Sequence, residues 1–168
     1  GPRCRRPLAV MVVDPRDPAA TLGGDSRGTA LTRATQAMLR ALGVWEQLAP
    51  QVQDMRDVMV TDGAGGPHDG RPTLLSFLAD DAGGTGAAAM VENSALNAAL
   101  LAAVQQSPAI TLVPQAAVSG LESGSGLARV ALATGAGVTA SLVIGADGRA
   151  SPLRKMLGIG TKGHDYGQ

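Results

Sequence analysis

The stretch Leu142-Val143-Ile144-Gly145-Ala146-Asp147-Gly148-Arg149-Ala150-Ser151-Pro152-Leu153-Arg154 gathers the residues best suited to hold a ligand. An apolar run stops in a glycine turn, and Ser151-Pro152 then fits the N-cap and first position of a short helix closed by Gly158. Glycine lets a ligand approach the backbone. Exposed amides at a helix start favour phosphate. Asp147 stands at the C-terminal end of the run, the edge where open α/β sheets take their ligands. The plainer alternative is a strand–turn–helix connection closed by an Asx turn.

Asp14 is the second candidate. It ends the run Leu8-Ala9-Val10-Met11-Val12-Val13. A carboxylate at the end of the second strand of a dinucleotide-binding unit accepts hydrogen bonds from ribose hydroxyls, and its two oxygens suit two neighbouring donors. A solvated loop aspartate is the alternative. The glycine-rich turn that partners such an aspartate should start roughly 20 residues or more upstream, before residue 1. Two literal matches lie elsewhere, at Gly135-Ala136-Gly137-Val138-Thr139-Ala140 and Gly158-Ile159-Gly160-Thr161-Lys162-Gly163. The first leads into a strand and the second follows a helix, so both read as turns.

Other reactive residues lack partners at useful spacing. His68 and His164 have no second ligand at metal spacing, so no metal site is expected. Asp80-Asp81 reads as a solvated pair. Ser26 and Ser151 lack a nucleophile elbow. Cys4 stands beside arginines, where its pKa could fall, but at a chain end. No catalytic acid or base is assigned.

The elements that must position these residues follow from hydrophobic spacing. Leu8–Val13, Ile110–Val113 and Leu142–Ile144 are continuous apolar runs, read as strands of one parallel sheet buried on both faces. Thr21 to Gly28 reads as a loop. Ala34, Met38, Ala41, Leu42 and Trp45 recur at helical spacing, broken at Gly43. Met55–Thr61, Thr73–Ala79 and Ala87–Val91 are short strand candidates among glycine-rich turns. Leu96, Leu100, Ala103 and Val104 mark a helix with Asn93 or Ser94 as its N-cap. Three strand candidates between Ala116 and Ile144 form a meander.

Composition narrows the classes. The 168 residues are 45% hydrophobic and 17% charged, as in a globular domain. A formal net charge of zero argues against nucleic acid as a partner, because phosphate binding needs a basic surplus. One cysteine excludes an internal disulfide and suits a reducing compartment. No apolar run approaches the roughly 18 residues of a membrane span, and Leu8–Val13 is too short for a secretory signal. The chain opens on Gly1 without a methionine, so we expect it to be part of a longer protein.

The string Gly-Ala-Asp-Gly-Arg-x-Ser-x-x-Arg at 145–154 resembles the fingerprint of class A flavoprotein monooxygenases, the para-hydroxybenzoate hydroxylase-like group. Asp25-Ser26-Arg27-Gly28-Thr29-Ala30-Leu31, Leu42-Gly43-Val44-Trp45-Glu46-Gln47-Leu48, Val91-Glu92-Asn93 with Leu96 and Leu100, and Tyr166-Gly167-Gln168 resemble the ubiquinone-biosynthesis hydroxylases, in that family's order. The resemblance implies FAD as cofactor. It puts Asp147 at the ribityl and pyrophosphate region, Gly145 and Gly148 at the turn, Asp14 at the adenosine ribose, and Arg27 and Asn93 near the flavin chain. Where the family often has an arginine after the Glu-Asn pair, this chain has Ser94. The family's N-terminal glycine turn and its later Gly-Asp motif are absent here.

The same resemblance implies a reaction in which NAD(P)H reduces the flavin and dioxygen then hydroxylates an aromatic, polyprenylated substrate. It implies a cytoplasmic protein placed peripherally at the inner membrane, beside a membrane-bound biosynthetic complex. The expected fold is α/β, a Rossmann-like FAD-binding domain (parallel sheet plus β-meander) interrupted by the start of a β-rich substrate domain. Residues 1–50 and 92–168 are assigned to the FAD-binding domain and 51–91 to the substrate domain. A prenyl reductase or epoxidase with the same fingerprint, or a truncated non-catalytic remnant, are the alternatives.

Overall fold

A computed structural model describes residues 8–61, 72–78, 86, 88–124 and 126–163. In chain order its elements are β1 (Val10–Val13), β2 (Gly28–Thr32), α1 (Arg33–Ala41), α2 (Trp45–Leu48), β3 (Gln53–Met55), β4 (Val58–Thr61), β5 (Thr73–Phe77), β6 (Ala88–Glu92), α3 (Asn93–Gln106), β7 (Ile110–Val113), β8 (Val118–Ser123), β9 (Ala128–Leu132), β10 (Gly137–Ala140) and α4 (Pro152–Met156). They fall into two compact units. One takes the described residues up to Asp17 and from Ala109 onward; the other is Pro18–Pro108. The fold is mixed α/β.

In the first unit β1 and β7 pair in parallel, from Val10 opposite Ile110 to Val13 opposite Val113. The expected third member is not there: Leu142–Ile144 forms no strand, and Leu142 and Ile144 are 74% and 75% exposed. Burial on both faces also fails for β1, whose Val10, Met11 and Val12 are exposed. The physical reason is one and the same. Continuous apolar runs fit a wide, doubly covered sheet, and two strands cannot bury both faces. The meander is present as antiparallel β8-β9-β10, and α4 lies against β8. Its core of Ala116, Val130 and Leu132 gathers Val13, Val113, Leu121 and Val143 around it.

The second unit centres on the antiparallel sheet β2-β6-β3. β2 lies between the expected loop, which ends at Gly28, and the helical spacing that begins at Ala34, a stretch to which the sequence assigned no element. Its burial alternates, with Thr29 and Leu31 turned inward, the period of two that marks a strand. Thr32 then caps α1, its hydroxyl accepting from the Thr35 amide at 3.3 Å. Gly43 takes φ +71° where α1 ends, as a C-terminal cap requires. Leu31, Ala89 and Val91 from the sheet and Leu39, Val44, Trp45, Leu48 and Ala99 from the helices make one core. Gly86 passes so close to β3 that an added Cβ would lie 2.3 Å from the Met55 carbonyl oxygen. The expected single strand at 55–61 divides into β3 and β4, and β4 pairs antiparallel with β5 as a separate two-stranded sheet. Met59, Leu74, Leu75 and Phe77 are exposed on it.

Candidate functional site

The candidate residues stand at two places, one in each unit. In the first unit, the turn after Ile144 is organised by Asp147. Its Oδ1 accepts from the Ser151 hydroxyl at 2.6 Å and its Oδ2 from the Leu153 amide at 2.9 Å. Ser151, the one buried polar residue among those described, is the N-cap of α4 and accepts from the Arg154 amide at 3.0 Å. Pro152 fills the first helical position, and Gly158 takes φ +66° after the helix, as the sequence suggests. Asp147 therefore fastens the start of α4 and is itself exposed. Each oxygen uses one acceptor site on the protein and retains another. The Ser151 hydroxyl first, and the Leu153 amide second, hold the Asp147 carboxyl below its usual pKa.

The two glycines of this turn differ. Gly148 takes φ +82°, a conformation that disfavours any side chain. Gly145 does not, and a Cβ there would meet Asp147 Oδ1 at an ordinary 3.5 Å. A groove of about 390 Å³ runs along the turn, lined by Val143, Gly145, Asp147, Gly148, Ser151 and Arg154 among others. A smaller one of about 250 Å³ lies on the meander, away from these residues.

Asp14 belongs to the same unit. Its carbonyl accepts from the Ala116 amide at 3.0 Å, and its Oδ1 accepts from the Arg16 amide at 2.8 Å and faces Arg16 Nε at 3.5 Å. Both side-chain contacts fall on Oδ1, which leaves Oδ2 for a hydroxyl donor. Gln115, opposite, takes φ 55° and its amide donates to the Arg16 carbonyl at 3.1 Å.

The second place joins Arg27 and Asn93 through Asp25, a residue the sequence did not single out. Asp25 accepts from Arg27 Nε at 2.8 Å, Arg27 Nη2 at 2.7 Å, the Arg27 amide at 3.1 Å and Asn93 Nδ2 at 3.0 Å. The Thr29 hydroxyl donates to Asn93 Oδ1. Asn93 is the first residue of α3 and Glu92 its N-cap, so neither expected cap fills that position. The amides of Asn93 and Ser94 donate to the carbonyls of Arg27 and Asp25, at 2.9 and 3.2 Å. Those two donors are closed to an anion. The Arg27 guanidinium first, and the Asn93 amide second, hold the Asp25 carboxyl well below the usual carboxylate range, and Asp25 in turn raises the Arg27 pKa.

Both carboxyls have folded pKa values below the ordinary 3.8. The stability they contribute is therefore present above that pH and lost as pH falls through the folded values. Thermal melts should show wild type above a D25N/D147N double variant at neutral pH, with the gap closing below about pH 4. Because Asp147 is exposed and Asp25 is partly so, the gap should be modest. A gap that stays constant down to pH 2 would show that neither ionisation supports the fold.

Cys4, His68, Asp80, Asp81 and His164 lie outside the described residues. Among the described residues, no group of three His, Cys, Asp or Glu could hold a metal ion, and no helix is long and apolar enough to cross a membrane.

Residues 5–167 match the family described as FAD binding domain. The chain is 36% identical over 163 residues to the ubiquinone hydroxylase UbiL of Rhodospirillum rubrum, covering 96% of this chain and 36% of that protein. It is 31% identical over 171 residues to the 3-demethoxyubiquinol 3-hydroxylase of Escherichia coli, covering 96% of this chain and 40% of that protein. The fold resembles the crystal structure of PqsL from P. aeruginosa, with a TM-score of 0.73 at 19% identity, over 94% of this chain and 41% of that one. The chain thus spans well under half the length of the relatives it matches.

Proposed function

Because the chain belongs to the FAD-binding domain family, we propose that it is the cofactor-holding portion of a monooxygenase that hydroxylates an aromatic, quinone-type ring in ubiquinone biosynthesis. The observation that carries this reading is the family match across residues 5–167, with two ubiquinone-ring hydroxylases among the relatives.

The residues fit such a cofactor chemically. FAD presents hydroxyls that donate and phosphates that accept. Asp147 and Asp14 each keep acceptor capacity beyond their protein donors, Arg27 presents an exposed guanidinium, and Gly148 admits close backbone approach. In this reading Asp147 takes a ribityl hydroxyl and Asp14 a ribose hydroxyl. Gly145 and Gly148 pass beside the chain of the cofactor, and Arg27 and Asn93 border the flavin. Bound FAD, reduced by NAD(P)H, supplies the redox chemistry with dioxygen; the protein orients it and excludes water. Residues 1–50 and 92–168 form the FAD-binding part, and 51–91 begin the substrate sheet.

The substrate is a polyprenylated phenol. Such a molecule resides in the bilayer, so the complete protein works peripherally at the inner membrane, beside the enzymes that share its substrate. Among the described residues β1 pairs with β7 and the apolar run Leu142–Ile144 forms no strand, so both are suited to flank a further strand of a parallel sheet.

Two measurements test this. The isolated chain should lose flavin absorbance on gel filtration, because the pyrophosphate site normally combines a glycine turn with a helix start; flavin that stays with it would contradict that division of labour. The complete protein should retain FAD and restore ubiquinone in a bacterium lacking its own ring hydroxylase. Retained FAD without restored quinone would favour another flavoprotein activity, such as a prenyl reductase or epoxidase.

A further inference from the structure

One carboxylate, that of Asp25, reaches a partner 68 residues away in sequence. The Arg27 side chain is 82% exposed, and an exposed arginine ordinarily samples many rotamers. Here its Nε and Nη2 are gripped by the two oxygens of Asp25, the bidentate geometry that fixes a guanidinium in plane and direction. Asp25 Oδ2 also takes the Asn93 amide, whose own oxygen is occupied by Thr29. The backbone repeats the link, because the Asn93 and Ser94 amides are bonded to the carbonyls of Arg27 and Asp25. The start of β2 and the start of α3 are thereby fastened into one array.

We infer that Asp25 is a positioning residue for the cofactor site: it aims Arg27 and Asn93 at the flavin without itself touching it. This rests on the reading that the chain holds FAD with Arg27 beside it. Three features of the array support it. The guanidinium is held through Nε and Nη2 while the arginine side chain stays 82% exposed. Asp25 is only 27% exposed, against 82% for the arginine it grips. The charge of Arg27 is matched by that of Asp25, so the pair offers directed N–H donors with little net charge. That suits hydroxyl and carbonyl oxygens of a cofactor.

The test is a double-mutant cycle on FAD affinity in the complete protein, with D25A, R27M and D25A/R27M, accompanied by thermal melts. D25A should raise the FAD dissociation constant about tenfold, the loss of one charge-assisted contact. In the R27M background the same change should add nothing, because the residue it orients is gone. D25N keeps one acceptor oxygen and should recover part of the affinity; its own cycle with R27M decides the matter if D25A is insoluble. An equal loss with and without Arg27, or no loss at all, overturns the inference while leaving the FAD reading intact. Wild-type protein that holds no FAD overturns both.

Discussion

Asp147→Ala in the complete protein should raise the FAD dissociation constant by about ten- to a hundredfold, the range for losing one charged hydrogen-bonding group. Two losses combine. The carboxylate no longer accepts from a ribityl hydroxyl, and the start of α4 loses the anchor that ties Ser151 and Leu153 to the turn. Asp147→Asn separates them. The amide oxygen can still accept from the Leu153 amide while its NH2 donates to Ser151, so the helix start survives and the effect should be milder. Flavin fluorescence titrations of the three proteins measure this. If both variants bind FAD as tightly as wild type and only their reaction with reductant or substrate suffers, Asp147 acts later in the cycle and not as a positioning residue.

Leu48→Ala should cost about 2–5 kcal/mol of stability, the range for truncating a fully buried leucine. Leu48 is completely buried in the core that joins the helices to β2 and β6. Collapse around the gap is limited because the core it belongs to is built from separate elements, with Trp45 on α2 and Ala89 and Val91 on β6. Against a total of about 5–15 kcal/mol for a typical domain, the loss is large. Urea melts should show a lower midpoint with an unchanged slope. A midpoint equal to that of wild type would mean that the core repacks without Leu48.

The sequence carried its local signals well. Ser151-Pro152 and Gly158 bracket α4 because caps act within a few residues of the helix they close. The parallel pairing of β1 with β7 was legible from two apolar runs, since continuous apolar strands suit a parallel sheet. The third run, Leu142–Ile144, has the same composition and no partner strand, which composition cannot report. β2 was hidden by its polar members Gly28, Thr29 and Thr32, although the inward turn of Thr29 and Leu31 is a two-residue period. Asp25 escaped notice for a different reason. Its role depends on Asn93, and only the fold brings β2 and β6 alongside each other, with Gly28 opposite Glu92.

The packing of Trp45 bears on how these proteins can be studied. It is the only tryptophan in the chain, it is buried, and the Arg40 guanidinium sits 4.3 Å from its ring centroid. Its intrinsic emission is therefore a built-in optical reporter for the Pro18–Pro108 unit alone, silent about β1, β7–β10 and α4. Circular dichroism averages over both units. Superimposed fluorescence and dichroism melts mean one cooperative transition, and separated melts mean two. A substitution at Asp147 that displaced the Trp45 emission curve would register directly as energetic communication between the units.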